Sequence, residues 1–445
     1  MTDIRGFSNK MKQPWVISIL LVACIPLFPE YFAPILSAGA LMAAYYDIGS
    51  AGRLGFQVGA VGKIMLIYIA YIALGLLYSP SFSSTLATLG MWFVMFMVYL
   101  SLTTVLSNPR RFDTALLIIS LISGVVGLIG CVQYMLRVSL GINISLEFWS
   151  FIDNTIFRIL PIELKPMPPV LRVSSTFNNS NIFSESMVMT LPVVAYYSFY
   201  GKREKYHLLC RFCLMTTAGG IAFSFSRGSY LALLAIALVF CVANIRKIVL
   251  MIVTLISGLL LVPQSVMARF FTITETDGSI TERFSIWNYS FSFIKSNPLF
   301  GVGAGISNSW NLLLQKGINA PHMHNLVLQL IVEGGIIAVV IYGAMCYVFV
   351  RNGVSMLIQS KETRMVGVML MAFLLGFITN GLFDFPLMTP KLVGMFLMLM
   401  AVADVASKLY LGRQTTILAE VLSFQRQAVD AKGEHLTYSK INNQK

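Results

Sequence analysis

Stretches of about 20 mostly apolar residues recur along the chain, each long enough to cross the hydrocarbon core of a bilayer. Of the 445 residues, 57% are hydrophobic and only 11% are charged, whereas a soluble domain carries roughly 25% charged residues. A single soluble core cannot absorb that much apolar surface, and the same balance excludes disorder. The pattern predicts an all-α, polytopic integral membrane protein with about 12 transmembrane helices. The expected spans lie near 14–29, 31–47, 59–78, 84–106, 114–136, 181–199, 208–225, 228–244, 248–267, 323–350, 365–383 and 386–407. No internal repeat is visible. No small-residue cleavage site follows the first apolar run, so it reads as a span and not as a removed signal.

An even number of spans puts both termini on one side. With both in the cytoplasm, the inner segments hold 22 of the 32 Lys and Arg residues and the outer side holds ten, as the bias toward cytoplasmic cations requires. The formal charge of +13 is then explained by topology, with no call for nucleic acid. The expected organisation is a transmembrane domain over 1–407 and a cytoplasmic tail over 408–445. Two long extracytoplasmic loops, 137–180 and 268–322, are the places to look for function. The six cysteines fall in or beside apolar runs, where a disulfide framework is not expected. Cys210-x-x-Cys213 lacks a second pair for a metal.

Cations on the outer side run against the bias and need another reason. Arg172 closes the first long loop, Arg227 sits in Ser224-Phe225-Ser226-Arg227-Gly228, Arg269 follows the ninth span, and Arg283 lies in Glu282-Arg283-Phe284. Each admits two readings, snorkelling to headgroups or a planar fork for phosphate oxygens. Arg227 favours the second reading, because it stands at a tight turn with no acid nearby in sequence. From Ser279 a capping box starts a short amphipathic helix, with Phe284, Trp287, Phe291 and Ile294 on one stripe and Asn297-Pro298 as its stop. That helix is expected to lie at the membrane surface before the late span. Gly301-Val302-Gly303-Ala304-Gly305 reads as a flexible turn.

Two of the four histidines, His322 and His324, precede the tenth span in His322-Met323-His324-Asn325. Structural, metal-binding and base or substrate-binding roles are all open to them. The last is preferred, since a neutral imidazole accepts a hydroxyl proton. Two rings spaced this way on a helix would not converge on one ion, so no metal is expected. Glu333, Asp384 and Glu185 are acids in or beside spans, costly there unless paired.

Together these elements resemble the O-antigen ligase and polymerase family of bacterial surface-polysaccharide enzymes. The resemblance rests on Arg172 followed by Ser175-Thr176-Phe177 and Asn179-Ser180-Asn181, where the family has Gly-Thr-Phe and Asn-Pro-Asn. It rests also on Ser224-Phe225-Ser226-Arg227-Gly228, on Arg283, Trp287 and Asn297-Pro298-Leu299-Phe300-Gly301-Val302-Gly303, and on His322-Met323-His324-Asn325 with Glu333-Gly334-Gly335. It implies an integral-membrane glycosyltransferase of the bacterial inner membrane with its active site on the outer face. The implied donor is a glycan on undecaprenyl diphosphate, and the acceptor a sugar hydroxyl on a glycan or glycolipid. The anomeric carbon would be attacked with inversion, without cofactor or metal. The residues expected to carry the chemistry are Arg227, Arg283 and His324. Arg172, Arg269, His322, Asn325, Asn181 and Trp287 are expected to bind substrate. Polymerisation, ligation to a lipid core and transfer to protein are not separated by the sequence. A transporter or flippase for lipid-linked sugars is the main alternative, and a cell-wall glycan polymerase a lesser one.

Overall fold

The computed structural model describes residues 13–50, 55–140, 172–243 and 278–412. Every regular element among them is helical. In chain order they are α1 (Pro14–Ala23), α2 (Phe32–Ser50), α3 (Ala60–Gly75), α4 (Phe82–Val105), α5 (Pro109–Leu140), α6 (Ser180–Tyr200), α7 (His207–Phe223), α8 (Arg227–Ala243), α9 (Gly278–Ser296), α10 (Ile306–Leu314), α11 (Leu326–Gln359), α12 (Lys361–Gly381) and α13 (Pro390–Leu411). Eleven of the expected spans coincide with helices. The segment 248–267, Arg269 and the tail from 413 lie outside the described residues. Five helices, α4, α5, α11, α12 and α13, are long and apolar enough to cross a membrane. The expected first span is helical over only the ten residues of α1 and a following 3-10 turn, Ile25–Leu27. Ten residues rise about 15 Å, half of a bilayer core.

The bundle is built around α6 and α13, whose side chains are buried along nearly their whole length. Packed on them are α5 with α7, α8 with α12, and α4 with α3. Elsewhere the apolar residues divide between core and surface. Leu77, Leu208, Val242 and Ile358 stand exposed, as lipid-facing side chains must.

Buried acids at one end of the bundle are all engaged. Asp404 on α13 accepts the Val61 and Gly62 amides at the start of α3 and the Tyr99 hydroxyl. Asp47 pairs with Arg111 at 2.6 Å and Asp113 with Arg203 at 3.1 Å. These interactions tie the ends of helices together.

At the opposite end, α11 is interrupted. Gly335 takes φ 62°, and the opened turn receives the segment that follows α9. Val302 N–H donates to Val332 O at 2.9 Å, Gly303 N–H to Glu333 O at 2.8 Å, and Ile336 N–H to Pro298 O at 2.9 Å. The Glu333 carboxylate accepts from Gly305 N–H, Ser309 Oγ and Gln329 Nε2. A Cβ on Gly335 would lie 2.1 Å from Leu299 O. The glycine segment is therefore a pinned turn, where the sequence suggested a flexible one. Glu333 is a structural clamp on it, its burial offset by three donors.

Candidate active site

Four segments distant in sequence meet at this second end of the bundle. The first is held by α5. Gln133 donates Nε2–H to Ser175 O and accepts Ser175 N–H, at 2.9 and 2.8 Å. Arg172 then donates Nε–H to Ser224 O at 2.9 Å, and its Nη2 donates to Asn181 Oδ1. Asn179 caps α6 by accepting Asn181 N–H at 2.7 Å, which fixes Asn181 in the first helical turn. Lys391, fully buried on α13, donates to Thr176 O at 2.6 Å and lies 4.1 Å from the Phe177 ring centre.

The second segment is the turn from α7 to α8. Ser224 Oγ donates to Ile221 O and accepts Ser226 N–H, while Phe225 takes φ 56°. Arg227 opens α8, where a cation opposes the helix dipole; helix stability does not explain its position. Gly228 lets this helix start press on the end of α12, since a Cβ there would meet Phe383 Cβ at 3.0 Å and Asn380 Oδ1 at 3.1 Å.

The third is the histidine turn. Met323 is fully buried, with its amide donating to Gln329 Oε1 at 2.8 Å and its carbonyl accepting Trp287 Nε1–H from α9 at 3.1 Å. With Met323 anchored inward, His322 and His324 project together, their ring centres 4.1 Å apart. His324 has φ 49°, so the pair is on an irregular turn and not on the helix that the sequence reading assumed. That difference brings both rings to one carboxylate, although they were expected not to converge. Asn325 caps α11, accepting Val327 and Leu328 N–H, and donates Nδ2–H to Leu382 O.

The fourth is Asp384, after α12. His324 Nδ1 is 3.3 Å and His322 Nε2 3.6 Å from Asp384 Oδ1. Phe385 N–H also donates to Oδ1, and Asn181 Nδ2–H donates to Oδ2 at 3.0 Å. Burial alone would raise the Asp384 carboxyl. The hydrogen bond from His324 and the positive surroundings, Arg283 among them, outweigh it and hold the carboxyl below the usual carboxylate range. Burial holds His322 down at about 4, with His324 and Arg283 acting in the same direction against the attraction of Asp384. Arg283 lies within electrostatic reach of His322, Asp384 and the buried Glu185.

Proton positions follow from these contacts. His324 N–H donates to His322 Nδ1 at 3.1 Å, so neutral His322 carries its proton on Nε2, facing Asp384. Because Asp384 is ionised, the neutral form of His324 donates from Nδ1, which makes Nε2 the acceptor of that form. His322, His324 and Asp384 offer ligand atoms within 4.8 Å of one another. A metal on His322 Nε2 would displace that proton while Nδ1 still faces an N–H, requiring an imidazolate. The donor set thus fits a hydrogen-bonded proton relay better than a resident cation.

Of the residues singled out in the sequence, Arg172, Asn181, His322 and His324 are joined through Asp384, and Arg283 acts on the same group. Arg227 stands at the neighbouring helix start. Trp287 and Asn325 serve the backbone, one holding the histidine turn and the other capping α11. The aromatic stripe on α9 is split: Phe284 and Phe291 are exposed, while Ile286 and Ser290 are buried and Trp287 and Ile294 pack beside them. Sequence reasoning underrated Asp384, whose only signal was an acid in a turn between two apolar runs.

Comparison with known families supplies the remaining observation. Residues 212–343 match the family model described as O-antigen ligase. Over this segment the chain is similar to the O-antigen ligase family. No curated protein matches the chain. The O-antigen ligase match contains Arg227, Arg283, His322 and His324, whereas Arg172, Asn181 and Asp384 come from outside it. The match covers less than a third of the chain, and five of the described helices are long and apolar enough to cross a membrane.

Proposed function

We propose that this protein transfers a glycan from a polyprenyl diphosphate, undecaprenyl diphosphate in bacteria, to a sugar hydroxyl of an acceptor glycan or glycolipid. The reaction takes place at the outer face of the inner membrane, with both termini in the cytoplasm and the domain limits as read from the sequence. The observation that carries this reading is the Asp384–His324 pair beside Arg283. Asp384 fixes the tautomer in which His324 Nε2 accepts a proton, and the nearby guanidinium suits a departing diphosphate.

In the proposed step the acceptor O–H gives its proton to His324 Nε2. The acceptor oxygen forms the new bond to the anomeric carbon from the face opposite the diphosphate. The old C–O bond breaks, and its electron pair leaves on the diphosphate oxygen. Arg283 and Arg227 stabilise that charge; Arg172 is committed to Ser224 and Asn181 and positions Asp384 through Asn181. His322 supports the His324 backbone. A single displacement with inversion is favoured because both oxygens of Asp384 already accept hydrogen bonds, which leaves it a poor nucleophile. The candidate residues crowd one end of the bundle, which favours transfer over a transport path with charges facing both sides.

The test is transfer by purified protein from a synthetic undecaprenyl-diphosphate-linked glycan to a repeat-unit glycan, a core glycolipid or a polypeptide. The acceptor that is used separates polymerase, ligase and protein-glycosylation roles. His324→Ala and Arg283→Ala should each abolish transfer with membrane insertion intact, and a chelator should leave the wild-type rate unchanged. A His324→Ala enzyme working at the wild-type rate would overturn the assignment.

A further inference from the structure

The relay explains how a sugar and a diphosphate are handled, but not where the lipid of the donor lies. A groove between α11, α12 and α13 starts directly beside the relay. Its mouth is formed by Leu326, two residues after His324, and Leu382, two residues before Asp384. The Asn325 side chain ties this mouth together by donating to Leu382 O at 3.0 Å. From there the groove passes Leu330, Phe377 and Gly343 to Phe349, with a cavity volume of about 190 Å³. Its lining side chains are apolar apart from the hydroxyl of Tyr342 and the thiol of Cys346. Along the contour of α11, through its break at Gly335, Leu326 to Phe349 is about 35 Å at 1.5 Å per residue, comparable to the roughly 30 Å hydrocarbon core.

We propose that this groove holds the polyisoprenyl chain of the donor. The inference rests on the transfer reading above and deepens it by placing the lipid end of the substrate. Three observations join in it: the groove is lined at one end by residues next to His324 and Asp384, its lining follows most of the length of α11, and one of the lining residues is an exposed glycine. Gly343 is exposed, and a Cβ built on it meets nothing within 4 Å. A larger side chain there has room to enter the groove without disturbing the fold. It lies about 25 Å along α11 from Leu326, too far to touch the reacting atoms.

The experiment compares Gly343→Ala, Gly343→Leu and Gly343→Phe with the wild type, using two donors. Both carry the same glycan on a diphosphate, one with the full undecaprenyl chain and one with a farnesyl chain. Gly343→Phe should raise KM for the long donor by about tenfold or more, the loss of contact for two or three methylenes. KM for the short donor and kcat for both should stay at wild-type values, with Gly343→Leu intermediate and Gly343→Ala unchanged. Equal effects on the two donors, or none on either, would overturn the groove assignment and leave the transfer reading standing. Absence of transfer by the wild type with any donor would overturn both. Independently of any variant, a polyprenyl diphosphate with a photoreactive group near the chain end should label peptides around Gly343–Phe349 or Leu374–Ile378. Labelling confined to other helices would mean that the groove holds ordinary acyl chains.

Discussion

Replacing Asp384 by Asn removes one charge and changes almost no volume, yet the surroundings leave the new amide no satisfactory orientation. Oδ1 of Asp384 accepts from His324 Nδ1 and Phe385 N–H, and Oδ2 accepts from Asn181 Nδ2. An Asn whose NH2 faces His324 drives the imidazole proton to Nε2 and abolishes the base, while opposing the Phe385 amide. An Asn whose NH2 faces Asn181 opposes the Nδ2 donor there. Relieving that clash by rotating Asn181 takes Oδ1 away from Arg172. Each orientation leaves a donor–donor mismatch in a buried site, at a cost of about 1–3 kcal/mol. The kinetic loss should be that of general-base catalysis, about 10²–10⁴-fold in kcat, measured with saturating donor and acceptor. Because Asp384 acts through His324, the double variant Asp384→Asn/His324→Gln should be no slower than His324→Gln alone. Multiplicative losses in the double variant, or an Asp384→Asn enzyme within a few-fold of wild type, would refute the relay.

The position of His322 predicts a pH dependence of stability. Its value in the fold, about 4, lies below the ordinary 6.5, so between these values the unfolded chain binds more protons. Its contribution should be constant above pH 6.5 and be lost as pH falls toward 4. Melting in detergent between pH 7.5 and 4.5 should show this decline, and His322→Asn should flatten it. At Arg283, Lys keeps the charge but not the fork; Arg283→Ala should lower kcat/KM by about 10²–10³-fold and Arg283→Lys by less, read in the transfer assay. Gly335→Ala combines a left-handed φ of 62° with a Cβ placed 2.1 Å from Leu299 O. Beyond the roughly 1–2 kcal/mol of backbone strain, it should displace the glycine turn and lower the melting temperature by several degrees. An unchanged melting temperature would show that the turn is not held as described.

How much of this was legible in the sequence depends on the range of the interaction. Helices could be read because apolar periodicity acts on each segment separately: eleven of the expected segments are helical, and five of those helices are long and apolar enough to cross a membrane. Arg227, Arg283 and the histidines could be named as candidates, the arginines because cations on the outer side run against the topological bias and the histidines because a neutral imidazole accepts a proton. Asp384 could be noted as an acid beside a span, but its partner could not, because its pairing with His324 spans 60 residues and only the fold brings them together. On α9 the aromatic residues suggested one face, but Met323 and the histidine turn need a neighbour at Ile286, Trp287 and Ser290. This leaves Phe284 and Phe291 outward, as the expected surface position of that helix allows.

Backbone strain marks the site more sharply than composition does. Among the described residues three non-glycine positions have positive φ: Ser175, Phe225 and His324. One lies in each of the segments that carry Arg172, Arg227 and the histidine pair. Such conformations persist only where surrounding contacts over-determine them, and two of them have contacts that do so. Ser175 is held by Gln133 on both its N–H and C=O, and its Oγ donates to Val126 O. His324 is held between the His322 ring and Asp384. At His324 the groups fixing the turn also direct its ring toward Asp384, and at Ser175 the loop so fixed carries Arg172, whose Nη2 donates to Asn181. A glycine at Ser175 would relieve the strain but lose the hydroxyl contact, so the conformation of that loop and the placing of Arg172 are one structural requirement.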